Sequence, residues 1–266
     1  MAISVTRRDV FWGYMGYALA YGMNILLLPF ILRLLDAKEL GLWYTFISIN
    51  QFVMFLDFGF MPAVLRNASF CWGGATSLVK EGFASCDFNG KEGPNYELLE
   101  HIIAASKRLY NSIGSIAGLV LILFGFPFLW MIARGIPAGK VNFAWLIFAC
   151  GVVVNIRYAY WNPLLRGIGA IAESNKAIVL ARGFQLLVAS LGLLMGGGFI
   201  AVAAAFLCGG IASRALAQNY FRTRLGAHAD ITNSHIPRSD ERYKETLDVL
   251  WYSAKRQGLA ILANCF

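Results

Sequence analysis

The chain has 266 residues, 58% of them hydrophobic and 14% charged, with a formal net charge of +8. Soluble domains average roughly half apolar and about a quarter charged, so this composition points to a membrane as the solvent rather than water. The positive charge alone does not indicate nucleic acid, because basic connections kept on one side of a membrane produce the same excess, and no basic, aromatic-interleaved module is present.

The start, "MAISVTRRDVFWGYMGYALAYG", combines a basic end, an apolar stretch and "ALA" at 18–20, the pattern of a cleaved signal. The apolar run nevertheless continues to Leu35, enough to cross a bilayer, which needs about 20 residues. We therefore expect a first span at about 10–35. In it, Tyr14, Tyr17, Tyr21 and Asn24 share one side of a helix, while Gly13, Gly16 and Ala20 share the other, where small residues allow close helix approach. The tyrosine stripe is suited to stacking on sugars or lining a cavity; ordinary packing or interface belting is the other reading.

A second span is expected at about 41–65, and within "QFVMFLDFGFMPAVLR" it holds Asp57, with Asn50 two helical turns earlier on nearly the same face. The connection from Asn67 to Lys107 is mostly polar, with a turn signal at "NGKEGPN". Its end, "YELLEHIIAASKRLY", groups Leu98, Leu99, Ile102 and Ile103 on a helical face, either lying on the inner leaflet or simply lengthening the third helix. Further spans follow at about 109–133, 142–164, 177–198 and 200–221, the last two joined as a hairpin by "GGGF". A seventh begins near Leu247 and is cut at Phe266. Pro29, Pro62, Pro127 and Pro163 supply kinks.

The predicted fold is thus all-α: a polytopic membrane helical bundle of six transmembrane helices plus a truncated seventh. Residues 1–221 form a six-helix lobe, 222–246 a cytoplasmic linker, and 247–266 the opening of the seventh helix. Lys and Arg set the orientation. With the N-terminus inside, the cytoplasmic connections hold most of them, from Arg7 and Arg8 to Arg242 and Lys244, while the outer ones hold Lys38, Arg134 and Lys140.

Charges inside the spans are costly and usually face a bundle interior or a water-filled cavity. Asp57 falls roughly 24 Å from the outer end of its span at about 1.5 Å per residue, too deep for so short a side chain to reach the interface. It is expected either in a structural ion pair with an arginine or as an exchanger of a proton or cation. Arg157, Arg182 and Arg214, with Lys255 and Arg256 in the seventh helix, form a basic band in the inner half of the membrane. Snorkelling to the headgroups is the alternative for each arginine.

Enzymatic signatures are lacking. His101, His228 and His235 have no metal-ligand spacing, and there is no GxSxG and no GxxxxGK[ST]. Cys71, Cys86, Cys150, Cys208 and Cys265 show no CxxC. No enzyme, metal or cofactor is expected.

Four stretches carry a resemblance: "LLLPFILRLLDAKELGLWYTFISI", "LDFGFMPAVLRNAS", "PLLRGIGAIAESNKAIV" and "LWYSAKRQGLAILANCF". Together they resemble the O-antigen and polysaccharide flippases of the multidrug/oligosaccharidyl-lipid/polysaccharide exporter superfamily, N-terminal half. The resemblance implies translocation of an undecaprenyl-diphosphate-linked oligosaccharide across a bacterial plasma membrane by alternating access, with two six-helix lobes around a cationic cavity. It implies substrate contacts from Arg157, Arg182, Arg214, Lys255 and Arg256, to which the stripe of Tyr14, Tyr17, Tyr21 and Asn24 is added. The implied partners are the lipid-linked oligosaccharide, membrane lipids, and a polysaccharide polymerase with its chain-length machinery. Because the chain closes inside the seventh span, it is expected to be a fragment; a truncated product and a pairing of two copies are the other readings. A drug or metabolite exporter of the same superfamily, a membrane-embedded glycosyltransferase or polymerase, and a gene remnant are the competing functions.

Overall fold

The computed structural model describes residues 7–80, 93–233, 236–237 and 239–265, and among these the chain is helical throughout, without a β-sheet. The helices are α1 (Arg7–Leu34), α2 (Ala37–Met54), α3 (Phe60–Trp72), α4 (Tyr96–Ile132), α5 (Ala138–Arg157), α6 (Trp161–Gly167), α7 (Ile171–Leu194), α8 (Gly198–Leu225) and α9 (Glu241–Cys265). Short 3-10 turns cover Phe55–Asp57 and Gly226–Thr232. Four helices are long and apolar enough to cross a membrane, or five if α2 and α3 count as one bent span; the apolar part of α1 within the described residues is Ile25–Leu34. Helices suit a bilayer because each satisfies its own backbone hydrogen bonds where no water is present.

α7 packs along α8 and α1, α8 along α5, and α5 along α4. Where α2, α5 and α8 meet, Phe46 stands 5.0 Å from both Trp145 and Phe148 and 6.1 Å from Phe199, ring centre to ring centre. Gly125 on α4 makes room for this cluster, since a Cβ there would lie 2.2 Å from the Trp145 ring. The outward faces are apolar as well: Leu119, Leu123, Trp130 and Met131 on α4 and Leu187, Leu191 and Leu194 on α7 are exposed. So much contiguous apolar surface is untenable in water and ordinary against lipid.

The expected second span is not one helix. α2 ends at Met54, Phe58 and Gly59 take positive φ angles of 42° and 83°, and α3 leaves at 45°. Two residues force the break. Pro62 has no N–H and its ring opposes a helical carbonyl at Phe58, while Gly59 occupies a left-handed position that favours glycine. The fourth span is interrupted more mildly before Pro163, with α5 ending at Arg157 and α6 starting at Trp161, and the two continue as one apolar stretch, Ala138–Gly167.

The segment before the third span resolves to the simpler alternative: α4 is continuous over 37 residues. At about 1.5 Å per residue it is roughly 55 Å long, well beyond a hydrocarbon layer of about 30 Å. Leu98, Leu99, Ile102 and Ile103 are buried against protein, so this face does not rest on a leaflet. Asn95 caps the helix, its Oδ1 accepting from Leu98 N at 3.0 Å. Most of "NGKEGPN", with Arg8 side-chain placement and Lys91, His235 and Arg238, lies outside the described residues. The "GGGF" hairpin forms between α7 and α8, with Gly196 and Gly198 at φ of 79° and 57°.

At one end of the bundle Lys140 pairs with Glu39, and the Lys38 ammonium abuts Gly135. That gathers the start of α2, the α4–α5 turn and the start of α8. α3, α6, the start of α4 and the end of α8 assemble at the other end, where α9 packs on α3 and α4. α9 is not among the helices apolar enough to cross, since it carries Lys244, Glu245, Asp248, Lys255 and Arg256.

Candidate functional site: a two-arginine cavity

Polar side chains on α2, α5, α6, α7 and α8 open onto two adjoining recesses of about 440 and 370 Å3, which share Asn50, Gln51, Arg182, Gln185 and Phe206. Toward the Lys140 end the walls are mainly apolar, with Leu27, Ile31, Trp43, Phe148 and Val202. Toward the other end they are polar, with Asn155, Asn162, Ser213 and Arg214.

Helical spacing supplies the polar face. Arg182 and Gln185 stand one turn apart on α7, and Arg182 Nη1 donates to Gln185 Oε1 at 3.0 Å. Facing them, Gly209 and Gly210 on α8 admit the amides closely: a Cβ at Gly209 would meet Gln185 at 2.6 Å, and one at Gly210 would meet Asn155 at 2.4 Å. Asn162 is fixed by Ser174, whose hydroxyl donates to it at 2.9 Å. Arg214 lies within Coulombic range of both Arg182 and Tyr110. Among the described residues, Asn50 Oδ1 and Arg214 Nε are buried without a hydrogen-bond partner.

Among the described residues no carboxylate lines either recess. Two like charges held near each other in a poorly hydrated site repel, and an anion entering between them relieves that repulsion. Guanidinium forks match phosphate and carboxylate oxygens, while the amides and Ser213 offer donors and acceptors of the kind that hydroxyl-rich ligands use.

Comparison with protein-family models, with curated proteins and with solved structures finds no match for this chain.

Of the expected basic band, the structure brings together Arg182 and Arg214. Arg157 points elsewhere: it is exposed, its stem crosses Gly114 of α4, and Nη2 donates to Ser115 Oγ at 3.1 Å. Its neighbour Asn155 reaches the cavity instead. Lys255 and Arg256 are exposed on α9, outside the cavity lining. In the tyrosine stripe Tyr14 is exposed, and the side chains of Tyr17, Tyr21 and Asn24 lie outside the described residues.

Of the two expectations for Asp57, the pairing with an arginine is not what the structure has: its hydrogen-bond partners are Tyr110 and Met61. Tyr110 Oη donates to Oδ1 at 2.5 Å and Met61 N to Oδ2 at 3.2 Å. The carboxylate thus takes up an N–H freed at the start of α3 and anchors the helix break to α4. Asn50, expected beside it, lines the cavity while Asp57 does not. Gln51, Asn155, Asn162, Gln185, Ser213 and Tyr110 were missed from sequence. Uncharged amides inside apolar runs were the available signal.

Proposed function

We propose that the chain is the N-terminal lobe of a bacterial plasma-membrane flippase, with its N-terminus in the cytoplasm. In this reading α1 to α8 form six spans and α9 opens a second lobe. It moves an undecaprenyl-diphosphate-linked oligosaccharide for O-antigen or another polysaccharide, by a binding cycle that is not enzymatic. The observation that carries this reading is the cavity: Arg182 and Arg214 among amides, with no carboxylate among the described lining residues, inside an apolar bundle.

The arginines take the diphosphate, the amides and Ser213 take sugar hydroxyls, and the lipid tail stays in the bilayer. Rocking of the lobe against its counterpart then exposes the cavity to alternate sides. The polymerase and chain-length machinery receive the product on the outer face. A described lining with two arginines and no acid disfavours an organic cation as cargo, which separates this reading from a cationic-drug exporter.

The test is export of lipid-linked sugar in cells carrying substitutions in the full chain. Arg182→Ala and Arg214→Ala are each expected to lower export about tenfold or more, the size of a lost charge-assisted hydrogen bond. Arg157→Ala, outside the cavity, is expected to leave most of it. Normal export in both cavity variants at normal protein level would end the proposal.

A further inference from the structure

Away from the cavity, near the start of α4, a recess of about 240 Å3 is lined by Thr76, Ser77, Asn95, His101, Arg242, Glu245 and Thr246, among others. His101 is 7% exposed. Its Nδ1 lies 2.8 Å from the Glu97 carbonyl oxygen; a carbonyl only accepts, so Nδ1 carries the hydrogen. In the neutral ring Nε2 is then a bare lone pair, and it is buried without a hydrogen-bond partner among the described residues.

Nε2 faces Asp240 Oδ1 at 3.6 Å, too far for a hydrogen bond. Two acceptors opposed across a gap is what a neutral imidazole beside a carboxylate produces. One proton on Nε2 turns the opposition into a charge-assisted donor–acceptor pair. Asp240 is already tied to α9, since the same Oδ1 accepts from Tyr243 N at 3.1 Å. That bond holds its carboxyl below the usual carboxylate range, so Asp240 stays anionic between pH 5 and 8, where histidine ordinarily titrates.

We propose that His101 is a pH-operated latch, which on gaining a proton closes onto Asp240 and ties α4 to the first turn of α9. Among the described residues the surrounding charges are these. Arg242 of α9 is engaged by Glu97 of α4, Glu245 of α9 lines the recess, and Lys80 pairs with Asp248. Residues 76–78 contribute no charge, and the 3-10 turn brings His228 onto the Tyr96 ring, 3.8 Å between centres.

The consequence reaches the helix break. Further along α9, Ser253 accepts from Arg66 of α3 at 2.5 Å. A Cβ at Gly59 would lie 2.8 Å from Gly258 N. Fixing the start of α9 therefore steadies the element that covers the α2–α3 bend. The pair stabilises the contact at low pH and is lost as pH rises and the ring loses its proton. None of this depends on what the cavity carries.

Amide hydrogen exchange of the purified full chain tests the latch. After correction for intrinsic rates, Tyr243 and Lys244 amides are expected to exchange about tenfold more slowly at pH 5.5 than at pH 8, the worth of one charge-assisted hydrogen bond. His101→Gln should remove that difference. Asp240→Asn should remove it too, and because asparagine is as good a cap, it remains informative if the histidine variant misfolds. A difference that survives Asp240→Asn, no difference in the wild type, or protection that follows added Zn2+ at constant pH would each overturn the latch.

Discussion

Asp57 shows how one residue inside an apolar run is held without a counter-ion. Its two oxygens take a phenol hydrogen from Tyr110 and a backbone hydrogen from Met61, so both the carboxylate and the frayed start of α3 are served. Tyr110 is itself 1% exposed, so water cannot readily replace it. Tyr110→Phe keeps the ring and deletes the donor, leaving a half-buried carboxylate oxygen unserved. A loss of about 1–3 kcal/mol is expected, read as a lower unfolding temperature in detergent. Asp57→Asn keeps an acceptor for Tyr110 and sacrifices the Met61 contact, so the milder loss is expected there. Equal stability of Tyr110→Phe and wild type would show that the short contact does not hold the break together.

At the scale of elements, the α2–α3 bend depends on glycine in two ways at one position. Gly59 has a φ of 83°, and an added Cβ would approach Gly258 N at 2.8 Å and Ala254 O at 2.9 Å, both backbone atoms of α9 that cannot swing aside. Gly59→Ala is therefore expected to destabilise by more than the ~1–2 kcal/mol of left-handed strain alone. Gly41 in α2 meets nothing within 4 Å, so Gly41→Ala should instead gain about 0.5–1 kcal/mol. Thermal unfolding of the two variants in one detergent checks the opposite signs. The contrast also marks the reach of sequence. Apolar runs reveal helices because a bilayer accepts little else, and the α7–α8 hairpin was legible in its glycines. Breaks before Pro62 and Pro163 were legible only as kinks, since their depth depends on what packs across them. Arg182 and Arg214 stood out as costly charges. Their convergence, and the turning of Arg157 onto Ser115, depend on the rotation of α5 between α4 and α8, which no single helix encodes.

For the whole molecule, the ends of the helices sort into two groups. Lys38, Glu39, Gly135, Lys140 and Gly198 meet at one end; α9 and the starts of α4 and α7 belong to the other. A bundle whose flanks are apolar between such ends is expected to expose them on opposite sides of a membrane, and the scarcity of Lys and Arg at the Lys38 end is the reason to expect that end outside. Cysteine labelling decides it. In a chain with its five cysteines replaced by alanine, Lys38→Cys is expected to react with an impermeant maleimide in intact cells. Lys244→Cys, in the first turn of α9, is expected to react only after permeabilisation. The reverse pattern would invert the molecule and put the polar end of the two-arginine cavity nearer the outer face, so that the anionic lipid headgroup we propose as cargo would be collected from the wrong leaflet for export. Labelling of both positions from one side would mean that an even number of spans separates Lys38 from Lys244, so that one of the five stretches α2–α3, α4, α5–α6, α7 and α8 does not cross the membrane.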